Sequence, residues 1–262
     1  MTKKNKIITI FVSVLAIIVL LVVLSSTLFA VSSVKVEFQS SKNILASVDE
    51  TEIAQSANIK KGTNVFLIEK SKAKNNLEKA YPYIKVLNIE TKFPNKIVIH
   101  AVERDEVFAF QTTNKYYVTD SDFKVLRIVE GEFESLTTNA IKIDYDGEGA
   151  QVGEFLATDN KFLTLKTMEN SNYQNFSKEE SSIALSSFLA TYKSVEVFDE
   201  KVVMNTFLGV KVCVYSPDFK QQEKLKMATI KLDSLTDEQK HQGVISIFQK
   251  DGIIIGTYGE HE

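Results

Sequence analysis

The chain has 262 residues, 44% of them hydrophobic and 25% charged, with a formal net charge of −3. At about 100–200 residues per domain this holds one or two folded domains, and the ordinary composition excludes a disordered chain, a collagen and a polytopic membrane protein. A charge so close to balance offers no global attraction for nucleic acid. The single cysteine, Cys213, excludes an intramolecular disulfide framework and a Cys-cluster zinc site.

The averages hide a sharp segregation. Residues Ile7 to Val31 carry no charged side chain. As a helix this run would measure roughly 37 Å, enough for a ~30 Å hydrocarbon core with some tilt. Lys3, Lys4 and Lys6 precede it with no acid among them, which places the N-terminus in the cytoplasm. The expected layout is a cytoplasmic tail at 1–6, a transmembrane helix at 7–31 and everything beyond on the outer side. A cleaved signal peptide competes, because Ala30-Val31-Ser32 puts small residues at a possible cleavage site. The length of the apolar run favours the uncleaved anchor, since a signal core is usually about 7–15 residues.

Beyond the anchor, Val34–Phe38 alternates and reads as a strand. Asp49-Glu50-Thr51-Glu52 has the form of a capping box, with Ile53, Ala54 and Ala57 as the apolar face of a short helix. Lys61–Asn64 is a turn, and Val65–Ile68 a short apolar run. Ala73, Leu77 and Ala80 mark a second helix, which Pro82 stops. Ile84–Lys92 and Ile97–Arg104 are two strands joined at Phe93-Pro94-Asn95. The order over 32–104 is β-α-α-β-β.

From Asp105 the pattern turns strand-rich. Strands are expected at Val107–Thr112, Tyr116–Thr119, Val125–Val129 and Ile141–Ile143. Ser177-Lys178-Glu179-Glu180 is a second capping box, and Ile183, Ala184, Phe188, Leu189 and Tyr192 would face its helix inward. Val195–Phe198, Lys201–Asn205 and Val210–Tyr215 read as strands. Leu225, Ala228, Leu232 and Leu235 define another helix. Val244–Phe248 and Ile253–Tyr258 close the chain as a hairpin around Lys250-Asp251-Gly252. The fold class is α+β: an N-terminal transmembrane helix, a β-α-α-β-β domain, a mixed β-rich domain with two helices over 105–258, and a tail at 259–262. Nothing follows the last strand to cover it, so an exposed edge is expected there.

The sequence holds no recognisable catalytic set. There is no nucleophile elbow and no phosphate-cradling loop. His100 lies inside a strand pattern, and Cys213 reads as sheet filling. Asp144-Tyr145-Asp146-Gly147-Glu148-Gly149 has acids at calcium-loop spacing, but Phe155 stands where a bidentate Glu is needed. Asn175-Phe176-Ser177 matches a glycosylation sequon, and Lys70–Lys74 reads as the solvated side of its helix. No catalytic residue, cofactor, metal or small-molecule substrate is implied.

Several segments, in this order, resemble the FtsQ/DivIB family of bacterial cell-division proteins. They are Val34-Lys35-Val36, Ile59 to Ile68, Tyr81 to Val86, and Phe93 to Ile99 with Val102-Glu103-Arg104. Tyr116 to Asp120, Val125-Leu126, Lys224-Leu225 and Gly243-Val244-Ile245 continue the series. The pattern departs at Asp105, at Phe123 near an expected turn glycine, and at Ser246. The resemblance implies that 32–104 is a POTRA-like domain and that the protein is not an enzyme. It implies a single-pass scaffold at the division septum that binds coiled-coil membrane proteins of the FtsL and FtsB/DivIC types, and through them regulates the septal peptidoglycan synthase. The alternative is a POTRA-type adaptor in protein export or a cell-wall hydrolase. Strand addition at the last hairpin would use Phe248, Gln249, Ile253, Ile254, Ile255, Thr257 and Tyr258. A second candidate face comprises Phe93, Pro94, Asn95, Glu103 and Arg104.

Overall fold

The structure is a computed structural model and describes residues 3–39, 49–131, 140–159, 162, 164–165, 189–217 and 220–259. The chain divides into two compact units, Met1–Arg104 and Asp105–Glu262.

The first unit opens with helix α1, Lys3–Leu28. Its described apolar side chains, among them Ile10, Leu15, Leu20 and Leu28, are exposed. Among the described residues no helix is long and apolar enough to cross a membrane.

The chain then passes directly into folded structure. The Val31 N–H donates to the Thr63 carbonyl, and the Val31 carbonyl accepts from the Gly62 N–H. Val31 itself is buried. The segment with small residues at a possible cleavage site is thus built into the unit.

Strand β1, Ser33–Phe38, runs parallel to β3, Lys96–Glu103, with Val34 opposite Ile97. Strand β2, Ile84–Lys92, pairs antiparallel on the other side of β3, giving the order β1-β3-β2. Two helices cover this sheet. Helix α2, Glu50–Ser56, is capped by Asp49, whose Oδ1 accepts from the Thr51 N–H at 3.0 Å. Helix α3, Lys70–Ala80, stops just before Tyr81-Pro82, as the ring of a proline requires. Ile53, Ala57, Ala73 and Leu77 pack onto Ile84, Val86, Ile97, Ile99 and Ala101. The α+β class and the β-α-α-β-β order read from the sequence are therefore present.

One expected helix face needs correction. Ala80 is exposed, and the inward place in the last turn belongs to Glu78, which is 5% exposed. Glu78 is held there by hydrogen bonds. Its Oε1 accepts from the Val86 N–H at 2.9 Å and its Oε2 from Nη2 of Arg104 at 2.9 Å. Arg104 also donates from Nε to the Ile84 carbonyl at 3.3 Å. One ion pair so joins α3, β2 and the end of β3.

Among the described residues the second unit forms a nine-stranded sheet of order β12-β11-β10-β9-β8-β7-β4-β5-β6. Its strands are β4, Phe108–Gln111; β5, Lys115–Thr119; β6, Val125–Glu130; and β7, Ile141–Asp144. They continue with β8, Tyr192–Val197; β9, Lys201–Thr206; β10, Lys211–Tyr215; β11, Val244–Lys250; and β12, Ile253–Gly259. Helix α4, Gln221–Asp233, connects β10 to β11, which pair parallel, as a crossover helix permits. Leu225 and Ala228 of α4 and Leu235 just beyond it reach the core, with Ile245 and Ile247 of β11.

One expectation for this unit changes. Tyr192 was expected on a helix face but begins β8, where it is buried. Val195 and Val197 alternate with Ser194 and Glu196 after it, and the pairing with β9 decides its state. The second capping box, with Ile183, Ala184 and Phe188, lies outside the described residues. Phe123 occupies the turn position where the resemblance expects glycine. Its φ is 65°, a conformation costly for a side chain with a Cβ. The ring is nonetheless buried, with centroids 5.7 Å from Phe108 and 5.3 Å from Phe110. Asp120 steadies the turn, its Oδ1 accepting from the N–H groups of Asp122 and Lys124.

Two stability measurements follow from these contacts. Arg104→Ala strips a buried carboxylate of its guanidinium and should destabilise the first unit by about 3–5 kcal/mol. Urea unfolding of the full chain in detergent would show a lowered midpoint, and an unchanged midpoint would refute the clamp. Phe123→Ala should cost about 3–5 kcal/mol for the lost ring. Phe123→Gly should be the more stable of these two by about 1 kcal/mol, because glycine accepts the positive φ; the reverse order would refute backbone strain at this turn.

Candidate functional site

The last hairpin forms one end of the larger sheet. Asp251 and Gly252, at φ of 50° and 81°, make its two-residue turn, the geometry that matches the twist of paired strands. β11 lies between β10 and β12, and among the described residues no strand lies beyond β12.

Register sorts the candidate residues onto two faces. Phe248 stands opposite Ile255, Lys250 opposite Ile253 and Ser246 opposite Thr257. Alternation then sends Ile245, Ile247, Ile254, Gly256 and Tyr258 to the face that α4 covers. A Cβ on Gly256 would lie 2.8 Å from Cγ of Lys231 and 3.1 Å from Cγ of Met227, so glycine lets the helix approach. Tyr258 donates from its hydroxyl to the Gln242 carbonyl at 3.1 Å. Ile254 and Tyr258 thus hold the strand down, and Gln249 shares their side. Ile253, Ile255, Thr257 and Phe248 lie on the other face, where Ile253 is 67% exposed while Cys213 and Val203, further in, are buried.

Toward the turn end of the sheet this face continues in a row that alternation alone does not reveal. Cys213 pairs with Ser246, so two residues on, Tyr215 and Phe248 share a face. Tyr215 pairs with Lys201, whose Nζ lies 5.7 Å from the ring centre of Phe198 and 5.9 Å from that of Tyr215. Tyr215 and Phe198 are exposed. Parity was the available signal: Tyr215 and Phe248 each fall one place after a core residue, Val214 and Ile247, and so must point the other way. Joining them in one row requires the parallel pairing of β10 with β11, which only the fold supplies.

β12 also lacks the usual guards of an edge. Ile253-Ile254-Ile255-Gly256-Thr257-Tyr258-Gly259 has no charge, no proline and no bulge, whereas exposed edges are ordinarily blunted by such devices. The opposite edge shows the contrast. β6 carries Arg127, paired to Glu106 at 2.7 and 3.0 Å. Its start is covered by residues 153–156, where the Val125 N–H donates to the Glu154 carbonyl.

The second candidate set does not come together. Phe93–Asn95 sit at the turn of the β2–β3 hairpin and Glu103-Arg104 at the far end of β3, about 23 Å away at strand spacing. Arg104, expected on an outward face, is buried against Glu78. Asn95 is occupied in binding Ser32, whose N–H donates to its carbonyl at 2.9 Å. Phe93 and Pro94 remain exposed.

Titratable groups with clear shifts lie elsewhere and serve structure. A hydrogen bond from Lys35 holds Glu37 below the usual carboxylate range, against a smaller effect of burial. Burial pushes the hydroxyls of Tyr145 and Tyr192 upward, with nearby acids adding to it. His100 sits between Glu90, at 3.3 Å from Nε2, and Glu37, at 3.5 Å from Nδ1. In the acidic turn Tyr145 fills the space, its hydroxyl bonded to the carbonyls of Glu148 and Ala157. Among the described residues no group of three His, Cys, Asp or Glu side chains is placed to hold a metal.

The β-α-α-β-β unit defines the class: residues 29–104 match the POTRA domain, FtsQ-type. The relatives carry this one step further. The cell division protein DivIB of Clostridium tetani is 35% identical over 80 residues, 30% of each chain. That of Clostridium acetobutylicum is 36% identical over 76 residues, 29% of this chain and 30% of the relative. That of Clostridium botulinum is 31% identical over 122 residues, 47% of this chain and 44% of the relative. The matches thus span less than half the length of these relatives. Together with the domain match they support the FtsQ/DivIB family, in agreement with the sequence motifs.

Gly256→Val would drive a branched side chain into α4. The expected loss is about 1–3 kcal/mol, the usual range for overpacking, read as a lower thermal midpoint of the full chain. A midpoint equal to that of the parent would show that α4 does not approach β12 so closely.

Proposed function

We propose that this protein is a non-enzymatic, single-pass scaffold of the cell-division machinery. Its outer part binds coiled-coil membrane proteins of the FtsL and FtsB/DivIC types and thereby helps regulate septal peptidoglycan synthesis. The kinship with DivIB proteins supports the division role. The uncharged run Ile7–Val31 after three lysines, lying largely within the continuous helix Lys3–Leu28, supports the membrane anchor with the N-terminus inside. The POTRA-type unit begins as that helix ends, which favours an anchor that stays attached.

The observation that carries the binding role is the unguarded edge of β12. Strand addition satisfies backbone groups of both partners and reads alternate side chains. Here the incoming strand would extend the sheet beyond β12, and its own side chains would meet Ile253, Ile255 and Thr257 on the open face. Phe248 and Tyr215 continue that face as an apolar floor. A partner segment of β-branched and apolar residues at alternate positions fits it best.

The test places charges where natural edges carry them. The double variant Ile253→Lys, Ile255→Lys keeps both residues on the open face and so should keep the circular dichroism spectrum and thermal midpoint of the full chain. Co-purification with the co-expressed FtsL- and DivIC-type proteins should fall at least tenfold, and a fluorescent fusion should move from mid-cell to an even envelope distribution. Undiminished co-purification would remove β12 from the binding site. An even distribution of the parent protein itself would remove the division role.

A further inference from the structure

An aromatic collar surrounds the place where α1 enters the first unit. Phe29 directly follows the helix. Its ring centre lies 5.2 Å from that of Phe66 and 6.4 Å from that of Phe93, and those two are 5.9 Å apart. Such clusters ordinarily form inside a core. Here Phe66 is 64% exposed, Phe93 67% and Leu67 75%. The exposure is imposed locally. Val65 turns into the core, and Asn64 caps the short turn by accepting from the Phe66 N–H at 3.0 Å, so the next two side chains point out.

The collar cannot drift from the helix end. The Phe29 carbonyl accepts from the Val65 N–H at 2.9 Å, the Thr63 carbonyl from the Val31 N–H at 2.8 Å, and the Asn95 carbonyl from the Ser32 N–H at 2.9 Å. Both turns, 62–67 and 93–95, are thereby bonded to the four residues that leave α1. Exposed Lys60, Lys61, Lys92 and Lys96 flank them. Apolar and aromatic side chains ringed by lysines match the boundary of a bilayer, where rings sit at headgroup depth and ammonium groups reach anionic phosphates.

We propose that Phe66, Leu67 and Phe93 are immersed in the outer-leaflet interface, so that the POTRA-type unit is seated on lipid. This rests on the reading that α1 crosses the membrane. Its continuity with α1 selects lipid as the occupant: the hydrocarbon boundary then falls near Leu28-Phe29, and the headgroup layer, about 5–7 Å deep on each side, reaches the two turns.

The chain contains no tryptophan, so one introduced residue reports its own depth. Single variants Phe66→Trp, Phe93→Trp, Leu15→Trp and Leu87→Trp of the full chain would be reconstituted in vesicles of phosphatidylethanolamine and phosphatidylglycerol. The vesicles carry bromine either high or low on the acyl chain. Positions 66 and 93 should be quenched by the shallow bromines and position 15 by the deep ones. Position 87, on β2 about 20 Å from the turn, should stay unquenched. If position 15 is quenched and positions 66 and 93 are quenched no more than 87, the seat on lipid is wrong and the anchor stands. If position 15 escapes the deep bromines, the anchor fails and the seat with it.

Discussion

The first unit is closed by one buried ion pair. Helices α2 and α3 lie on a three-stranded sheet too small to bury much apolar surface by itself. Glu78 reaches from the helix layer, takes a backbone N–H of β2 and the guanidinium of Arg104, and leaves Arg104 to bond the Ile84 carbonyl. A buried pair adds little net stability over a well-packed apolar pair, but a broken one is costly. Its effect is therefore on geometry. It ties α3 to β2 and to the residue that follows β3, and Arg104 is also the last residue of the unit.

The second unit is organised by a different constraint. A mixed sheet that grows strand by strand must end somewhere, and each end exposes backbone groups. At β6 the chain folds residues 153–156 over the start of the strand and sets charges along it. At β12 it does neither. What holds β12 is on one side only: the β11 ladder, the close approach of α4 at Gly256, and Tyr258 bonded to Gln242. Among the described residues no strand lies along its other side, the arrangement on which the proposed strand addition rests.

Much of this was legible in the sequence because it rests on local rules. Alternation located the strands, Pro82 ended α3, and Asp251-Gly252 made the final hairpin. What could not be read depends on residues far apart. Arg104 is visible as a charged residue at a strand end, but nothing local says that Glu78 waits for it, so local rules set it on a surface. Tyr192 fits a helical face as well as a strand until β9 lies beside it. The row from Lys201 through Tyr215 and Phe248 to Ile255 crosses four strands and a parallel pairing. Phe123 shows the limit of motif reasoning most clearly: the turn geometry expects glycine, while the aromatic core beside it rewards a ring.

The unguarded edge has a consequence for how the protein is made. An open strand without charge or proline accepts a second copy of itself by the same backbone bonds that would hold a partner. Nothing in Ile253–Gly259 discriminates between the two by repulsion. Choice then falls to concentration. If β12 takes a partner strand as proposed, chain made in excess of that partner is left with an edge that can pair with its own copy.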